Sequence, residues 1–250
     1  MTALDLFSDK SDLYALARPK YPQVLYEFLA SCVTQSDKVW DCATGNGQAA
    51  IALAEIFNEV QATDLSEQQI TQAMLNDKIT YSVQTAEHTN FPDHTFDLIT
   101  VAQAIHWFDF ENFWPEVLRV LKQGGVFAAW GYDWLKISPQ IDAAITENIM
   151  QIIKPYWAKQ NQLIWDGYKD IHFPFEKITS PPITMNQHWN LPQVLNYIHT
   201  WSATRQCMQE HGMEFFDAAA KKIAVVWGDA HEVKEIGMSL HLYVGRKISD

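Results

Sequence analysis

Apolar positions along the chain fall into short continuous runs and helical stripes, and their alternation fixes the first elements. Val39-Trp40-Asp41-Cys42-Ala43-Thr44-Gly45-Asn46-Gly47 begins as a buried strand, closes in a glycine turn and opens into a helix. Ala49, Ala52, Leu53, Ile56 and Phe57 then keep the i, i+3, i+4, i+7, i+8 spacing of a core-facing helix. A second apolar strand over residues 60–63 ends on Asp64. This is half of a nucleotide-binding βαβ unit. Glycines in the turn let a ligand approach the backbone, and an acid at the tip of the next strand can accept hydrogen bonds from both ribose hydroxyls.

The same reading extends along the chain. Pro22 opens a helix whose buried stripe is Val24, Leu25, Phe28, Leu29 and Cys32. Ser66 and Gln69 have the spacing of a capping box. A third strand covers residues 80–83. The fourth, 97–102, is apolar nearly throughout, as a central parallel strand should be. Beyond its carboxyl end, where open α/β sheets bind ligands, stand Gln103, His106 and Trp107. Phe110, Phe113, Trp114, Val117, Leu118 and Leu121 form another stripe interrupted by Pro115, so its helix either begins near that proline or kinks there, and the first is expected. Gly124-Gly125 reads as the stop of that helix, before a strand over 126–130. Later signals are weaker: a helix ending before Pro155, an extended segment over 176–185, two further helices and a last strand over 240–244.

Composition narrows the class. The 250 residues suit one large α/β domain with an elaboration, and 48% hydrophobic content supports a sizeable core. A net charge of −12 disfavours duplex nucleic acid and anionic membranes as partners. Three scattered cysteines, Cys32, Cys42 and Cys207, form neither a zinc cluster nor a disulfide framework. With no apolar run near 20 residues and no leader pattern, the expected setting is the cytoplasm. The histidines lack metal-ligand spacing, so no metal is expected.

Asp41-x-Ala43-x-Gly45-x-Gly47 followed by Asp64 resembles the first signatures of class I S-adenosylmethionine (SAM) dependent methyltransferases, with alanine where that family usually has glycine. The resemblance implies a Rossmann-like, seven-stranded, mostly parallel sheet with helices on both faces and a helical lid. It implies one domain over 1–250, divided into a cap over 1–34, a SAM-binding core over 35–133, and lid elements with closing strands over 134–250. Asp64 with Leu65, and Ala86 with Glu87 in the loop that would border the adenine, are then cofactor residues, as is Gln103. Tyr14-x-x-x-Arg18-Pro19-x-Tyr21-Pro22, Gln103-Ala104-Ile105-His106-Trp107-Phe108 and Tyr197-Ile198-His199-Thr200-Trp201-Ser202-Ala203 resemble a small-molecule branch, that of trans-aconitate methyltransferase. In that branch the amino-terminal segment folds over the cofactor, which sets Arg18 against the methionine carboxylate, and a substrate lid forms around Trp201.

The residues then divide by chemistry. Methyl transfer is an in-line displacement that needs mainly positioning and exclusion of water. A hydroxyl or amine acceptor needs a base, for which His106 is the candidate. A carboxylate acceptor needs a cation and an aromatic wall. Arg18, Lys20 and Arg205 could supply the cation, and Tyr14, Tyr21, Trp107 and Trp201 line the expected pocket between the end of strand four and the lid. Gly45, Gly47 and Ala50 also fit the dinucleotide pattern G-x-G-x-x-G/A, so an NAD-dependent oxidoreductase is an alternative. A catalytically idle SAM-binding protein is another.

Overall fold

Val39 and Trp40 are adjacent and both fully buried, yet they belong to two different hydrophobic clusters. Only a sheet covered on both faces allows this. The computed structural model describes residues 19–248; Tyr14 and Arg18 lie outside them. In chain order the strands and the α-helices of four or more residues are α1 (Gln23–Cys32), β1 (Lys38–Cys42), α2 (Gln48–Ala54), β2 (Glu59–Asp64), α3 (Glu67–Thr71), β3 (Ile79–Val83), β4 (Phe96–Ala102), α4 (Phe110–Val120), β5 (Leu121–Tyr132), α5 (Pro139–Ile145), α6 (Gln162–Trp165), β6 (Glu176–Lys177), β7 (Thr184–Trp189), α7 (Leu191–His199), α8 (Ser202–His211), α9 (Glu214–Trp227) and β8 (Lys234–Arg246). They form two compact units.

The sheet unit comprises Tyr21–Asp133, Gln162–Ile183 and the described residues from Leu240 onward. Its strand order is β3-β2-β1-β4-β5-β8-β6. The first five strands are parallel, and β8 runs antiparallel to both β5 and β6. This is the expected Rossmann-like, mostly parallel seven-stranded path. On one face Val39, Val60, Ala62, Leu98 and Ala128 pack with Leu25 and Leu29 of α1 and with Ala49, Ala50 and Leu53 of α2. On the other, Trp40, Ile99, Val101, Phe127 and Ala129 pack with Phe113, Val117 and Val120 of α4. Each large side chain fully buried here contributes about 1.5–3 kcal/mol.

Four details depart from the sequence reading. In α1, Val24 is exposed, and Tyr26 is buried instead, its ring edge-on to Trp130 at 6.3 Å. The capping box at Ser66 is half-formed: Gln69 N donates to the Ser66 hydroxyl, but the Ser66 N–H is taken by Asp64. Helix α4 starts at Phe110, not near Pro115. Asp109 supplies the cap, accepting from Glu111 N at 3.1 Å and from Asn112 Nδ2 at 2.7 Å. Pro115 and Glu111 are exposed, so the Glu111 carbonyl freed by the proline can meet water. Finally, α4 ends at Val120, before the glycines. Lys247 Nζ donates to the carbonyls of Leu118 and Leu121 at that end, and Gly124 (φ 72) sits in an irregular stretch between the Phe96–Leu121 and Leu98–Val126 pairings.

The helical unit comprises Trp134–Asn161 and Thr184–Ser239, with Pro19 and Lys20. Within it β7 pairs antiparallel with the first half of β8. A capping box that the sequence reading overlooked starts α7: Asn190 Oδ1 accepts from Gln193 N, and Gln193 Oε1 accepts from Asn190 N. Among the described residues, no helix is long and apolar enough to cross a membrane.

Candidate functional site

The loop between β1 and α2 is held in a left-handed conformation at three positions, Ala43 (φ 55), Gly45 (φ 58) and Gly47 (φ 86). Its backbone is fixed to the tip of β2. Thr44 N donates to Thr63 O at 2.9 Å, Gly45 N donates to Asp64 Oδ2 at 2.8 Å, and Ser66 N donates to Asp64 Oδ1 at 2.9 Å. Asp64 is therefore a clasp as well as a candidate ribose acceptor; each carboxylate oxygen keeps a second lone pair. The two glycines differ. A Cβ on Gly45 would meet only Gln69 Oε1, at 3.9 Å, so this face is open to a ligand. A Cβ on Gly47 would run into the Tyr81 hydroxyl, which donates to Met74 O at 2.8 Å. Gly47 is bare for Tyr81.

Asp41 lies fully buried beneath the loop. Its oxygens accept from the hydroxyls of Thr44 at 2.5 Å and Thr100 at 2.8 Å. Burial outweighs these bonds and raises its pKa from 3.8 to about 6.

Leu65 is 72% exposed and, with Val83, Gln84, Thr85 and His88, lines a groove of about 420 Å³. The loop that follows β3 is braced from α4. Glu116 is buried, accepts from Thr89 N at 2.8 Å and pairs with Arg119 at 2.7 Å, and Arg119 also donates to Phe91 O at 2.7 Å. Burial pushes the Glu116 pKa up, but the bonds from Arg119 and Thr89 prevail and leave it lowered. Sequence reasoning missed this brace, although Glu116 and Arg119 stand at the i, i+3 spacing of a helix pair. Ala86 is buried in the braced loop, and Glu87 accepts from Asp109 N at 3.2 Å.

At the carboxyl end of β4, Gln103 (φ 57) donates its N–H to Trp130 O at 2.8 Å. His106 is buried, its Nδ1 has no hydrogen-bond partner among the described residues, and burial lowers its pKa from 6.5 to about 4. Trp107 is 54% exposed, its ring 4.8 Å from that of His106. Tyr21 packs edge-on against Trp130 at 5.6 Å. In the helical unit, Trp201 packs against Trp134, Trp157 and Tyr197 at 5.7, 6.0 and 5.6 Å, and Arg205 is exposed on α8. No group of histidine, cysteine and acidic residues able to hold a metal occurs among the described residues.

The family described as "Methyltransferase domain" matches residues 40–129, from β1 to β5. A protein of Dictyostelium discoideum that carries the name methyltransferase is 34% identical over 202 residues, covering 79% of this chain and 77% of that protein. The chain belongs to the class I SAM-dependent methyltransferases. A solved structure from Anaeromyxobacter dehalogenans, described as a type II methyltransferase, is 32% identical to this methyltransferase and superimposes with a TM-score of 0.86 over 93% of this chain and 99% of that one. A Saccharomyces cerevisiae protein named as S-adenosylmethionine-dependent is 26% identical over 128 residues, 48% of this chain and 44% of its own length. The methyl donor of this methyltransferase is SAM. The residues fit it: Gly45 is open, and Asp64, Leu65 and the braced 84–89 loop stand at the adjoining strand ends.

Proposed function

We propose that this methyltransferase transfers the SAM methyl group to a carboxylate or hydroxyl oxygen of a small molecule. The observation that carries the reading is the end of β4, where a buried neutral histidine and a half-exposed tryptophan, His106 and Trp107, stand together where an open sheet binds its ligand. The net charge of −12 argues against nucleic acid. The resemblance of residues 103–108 and 197–203 to the trans-aconitate methyltransferase branch supports a small acceptor.

In this reading Asp64 accepts from the ribose hydroxyls, Leu65, Ala86 and Glu87 border the adenine, and the loop from Asp41 through Ala43 and Gly45 to Gly47 surrounds the methionine part. The SAM sulfonium activates the methyl carbon. The protein orients the acceptor oxygen in line and excludes water, which is worth about 7–11 kcal/mol. His106 is not poised near neutrality. With its pKa lowered to about 4 it is a neutral hydrogen-bonding wall at pH 7 and a weak base.

Thermal unfolding with S-adenosylhomocysteine and with NADH tests the cofactor half, because a ligand of the folded state raises the melting temperature. Stabilisation by NADH alone would return the glycine pattern to the oxidoreductase reading. Transfer of label from SAM to a metabolite library tests the acceptor half. Label in no small molecule, from protein that binds S-adenosylhomocysteine, would leave a catalytically idle SAM-binding protein.

A further inference from the structure

Tyr168 combines three features that a purely structural tyrosine does not need. Its backbone is left-handed (φ 62) and follows Gly167 (φ 65). It is 96% buried, with 4% of its surface exposed. Its hydroxyl has no hydrogen-bond partner among the described residues. An unpaired buried hydroxyl costs about 1–3 kcal/mol, so phenylalanine would serve the fold better.

The hydroxyl stands over the backbone of Gly131 near the carboxyl end of β5. A Cβ on Gly131 would lie 2.5 Å from Tyr168 Oη and 3.0 Å from Gln103 Oε1. The Gln103 amide is oriented by its Nε2, which donates to Tyr132 O at 3.4 Å. Directly opposite Gly131 on β8 is His241, and its Nε2 lies 3.5 Å from Asp133 Oδ2. His241 Nδ1 faces Gly167, whose missing side chain leaves it room: a Cβ there would be 3.3 Å away. All these residues belong to the sheet unit. Residue 241 lies on the same face of the sheet as residue 131, directly across the ladder, and Asp133 follows the end of β5.

We infer that Tyr168, Gln103 and the His241–Asp133 pair, gathered around the bare Gly131, form the acceptor subsite, and that its acceptor group is a hydroxyl. This rests on the methyl-transfer reading above. A hydroxyl donates once and accepts through two lone pairs. Gln103 Oε1 offers an acceptor for its proton, and Tyr168, held as a neutral phenol by burial, offers a donor to its oxygen. A carboxylate would face Gln103 Oε1, an oxygen acceptor, and is disfavoured. In the step, the new bond joins the acceptor oxygen to the methyl carbon, and the carbon–sulfur bond breaks with its electron pair left on sulfur. The hydroxyl proton, held on Gln103 Oε1 in the bound state, passes on to His241 as the carbon–oxygen bond forms, and the Asp133 carboxylate 3.5 Å from His241 Nε2 offsets the imidazolium charge. The site thus holds a histidine besides His106, half-exposed and with a carboxylate 3.5 Å from its Nε2.

Calorimetry on the full chain saturated with S-adenosylhomocysteine tests the subsite, with phenol and benzoate as probes. Phenol is expected to bind and benzoate not. Tyr168→Phe should weaken phenol about tenfold, leave the S-adenosylhomocysteine affinity unchanged, and raise the melting temperature of the ligand-free protein. Labelled-SAM transfer to phenol should fall at least a hundredfold in kcat in His241→Gln with little change in KM. Gly131→Ala should abolish phenol binding, and adding Tyr168→Phe to it should restore folding if the single variant unfolds. Benzoate binding more tightly than phenol, no binding of either probe, or equal phenol affinity in Tyr168→Phe each overturns the inference. Loss of S-adenosylhomocysteine binding by the wild-type protein would overturn the underlying reading instead.

Discussion

Gly45 donates its backbone N–H to the Asp64 carboxylate at 2.8 Å, so the glycine loop and the tip of β2 are bonded before any cofactor arrives. The other Asp64 oxygen holds Ser66 N at 2.9 Å. One carboxylate thus orders both segments that would flank the cofactor. Ordering them in advance lowers the entropy lost on binding.

Asp64→Ala is therefore expected to act twice. Two backbone N–H groups lose a charged acceptor, and the ligand-free protein should lose about 1–3 kcal/mol in urea unfolding. SAM affinity should fall as well. Unchanged stability of the free protein would show the clasp to be dispensable, and unchanged SAM affinity in a folded variant would remove Asp64 from the ribose site.

Asp41→Asn should stabilise the ligand-free protein at neutral pH. The folded-state pKa of Asp41 is raised to about 6 from 3.8. Below pH ~4 the carboxyl is protonated in both states and contributes nothing. Between pH ~4 and ~6 the unfolded chain ionises first, so stability falls as pH rises, and above that window the loss is complete. A shift of this size corresponds to about 3 kcal/mol. Denaturant midpoints at pH 7.5 should favour Asp41→Asn, and the advantage should shrink toward pH 4. An advantage independent of pH would refute the assigned cause.

Gly47→Ala should be strongly destabilising because its Cβ would collide with Tyr81. Tyr81→Phe should recover part of the loss, giving a coupling of about 0.5–3 kcal/mol in a double-mutant cycle. Ala43→Gly moves the other way. At φ 55 alanine carries about 1–2 kcal/mol of left-handed strain, partly offset by the extra freedom of glycine in the unfolded chain. A small rise in melting temperature is the expected reading, and a fall would mean that the Ala43 methyl packs usefully.

Lys247→Met is expected to loosen the end of α4. Lys247 is 9% exposed and its ammonium bonds the carbonyls of Leu118 and Leu121. Leaving buried carbonyls unpaired should cost about 1–3 kcal/mol, and hydrogen exchange should quicken across the last turn of α4. Protection unchanged from wild type would show that water takes over the cap.

The order of strands and helices through β5, the glycine loop, the acid at the tip of β2 and the apolar run of β4 were all determined by the sequence. Each depends on contacts a few residues apart or on a period of two or 3.6, and such patterns survive without knowledge of the rest of the chain. The capping box at Asn190 and Gln193 was equally local and could have been read. What tertiary structure alone decided involves residues far apart. Tyr81, not a ligand, fills the space Gly47 leaves, because the β2–β3 register sets that ring under the loop. Pro115 stays inside α4 because Asp109 caps the helix upstream and the freed carbonyl faces water. Lys247 ends that helix from 129 residues away. Gly131, Gln103, Tyr168 and His241 meet only because β5 pairs with β8 in one particular register. No periodicity encodes such a meeting, since it depends on how strands distant in sequence are packed against one another.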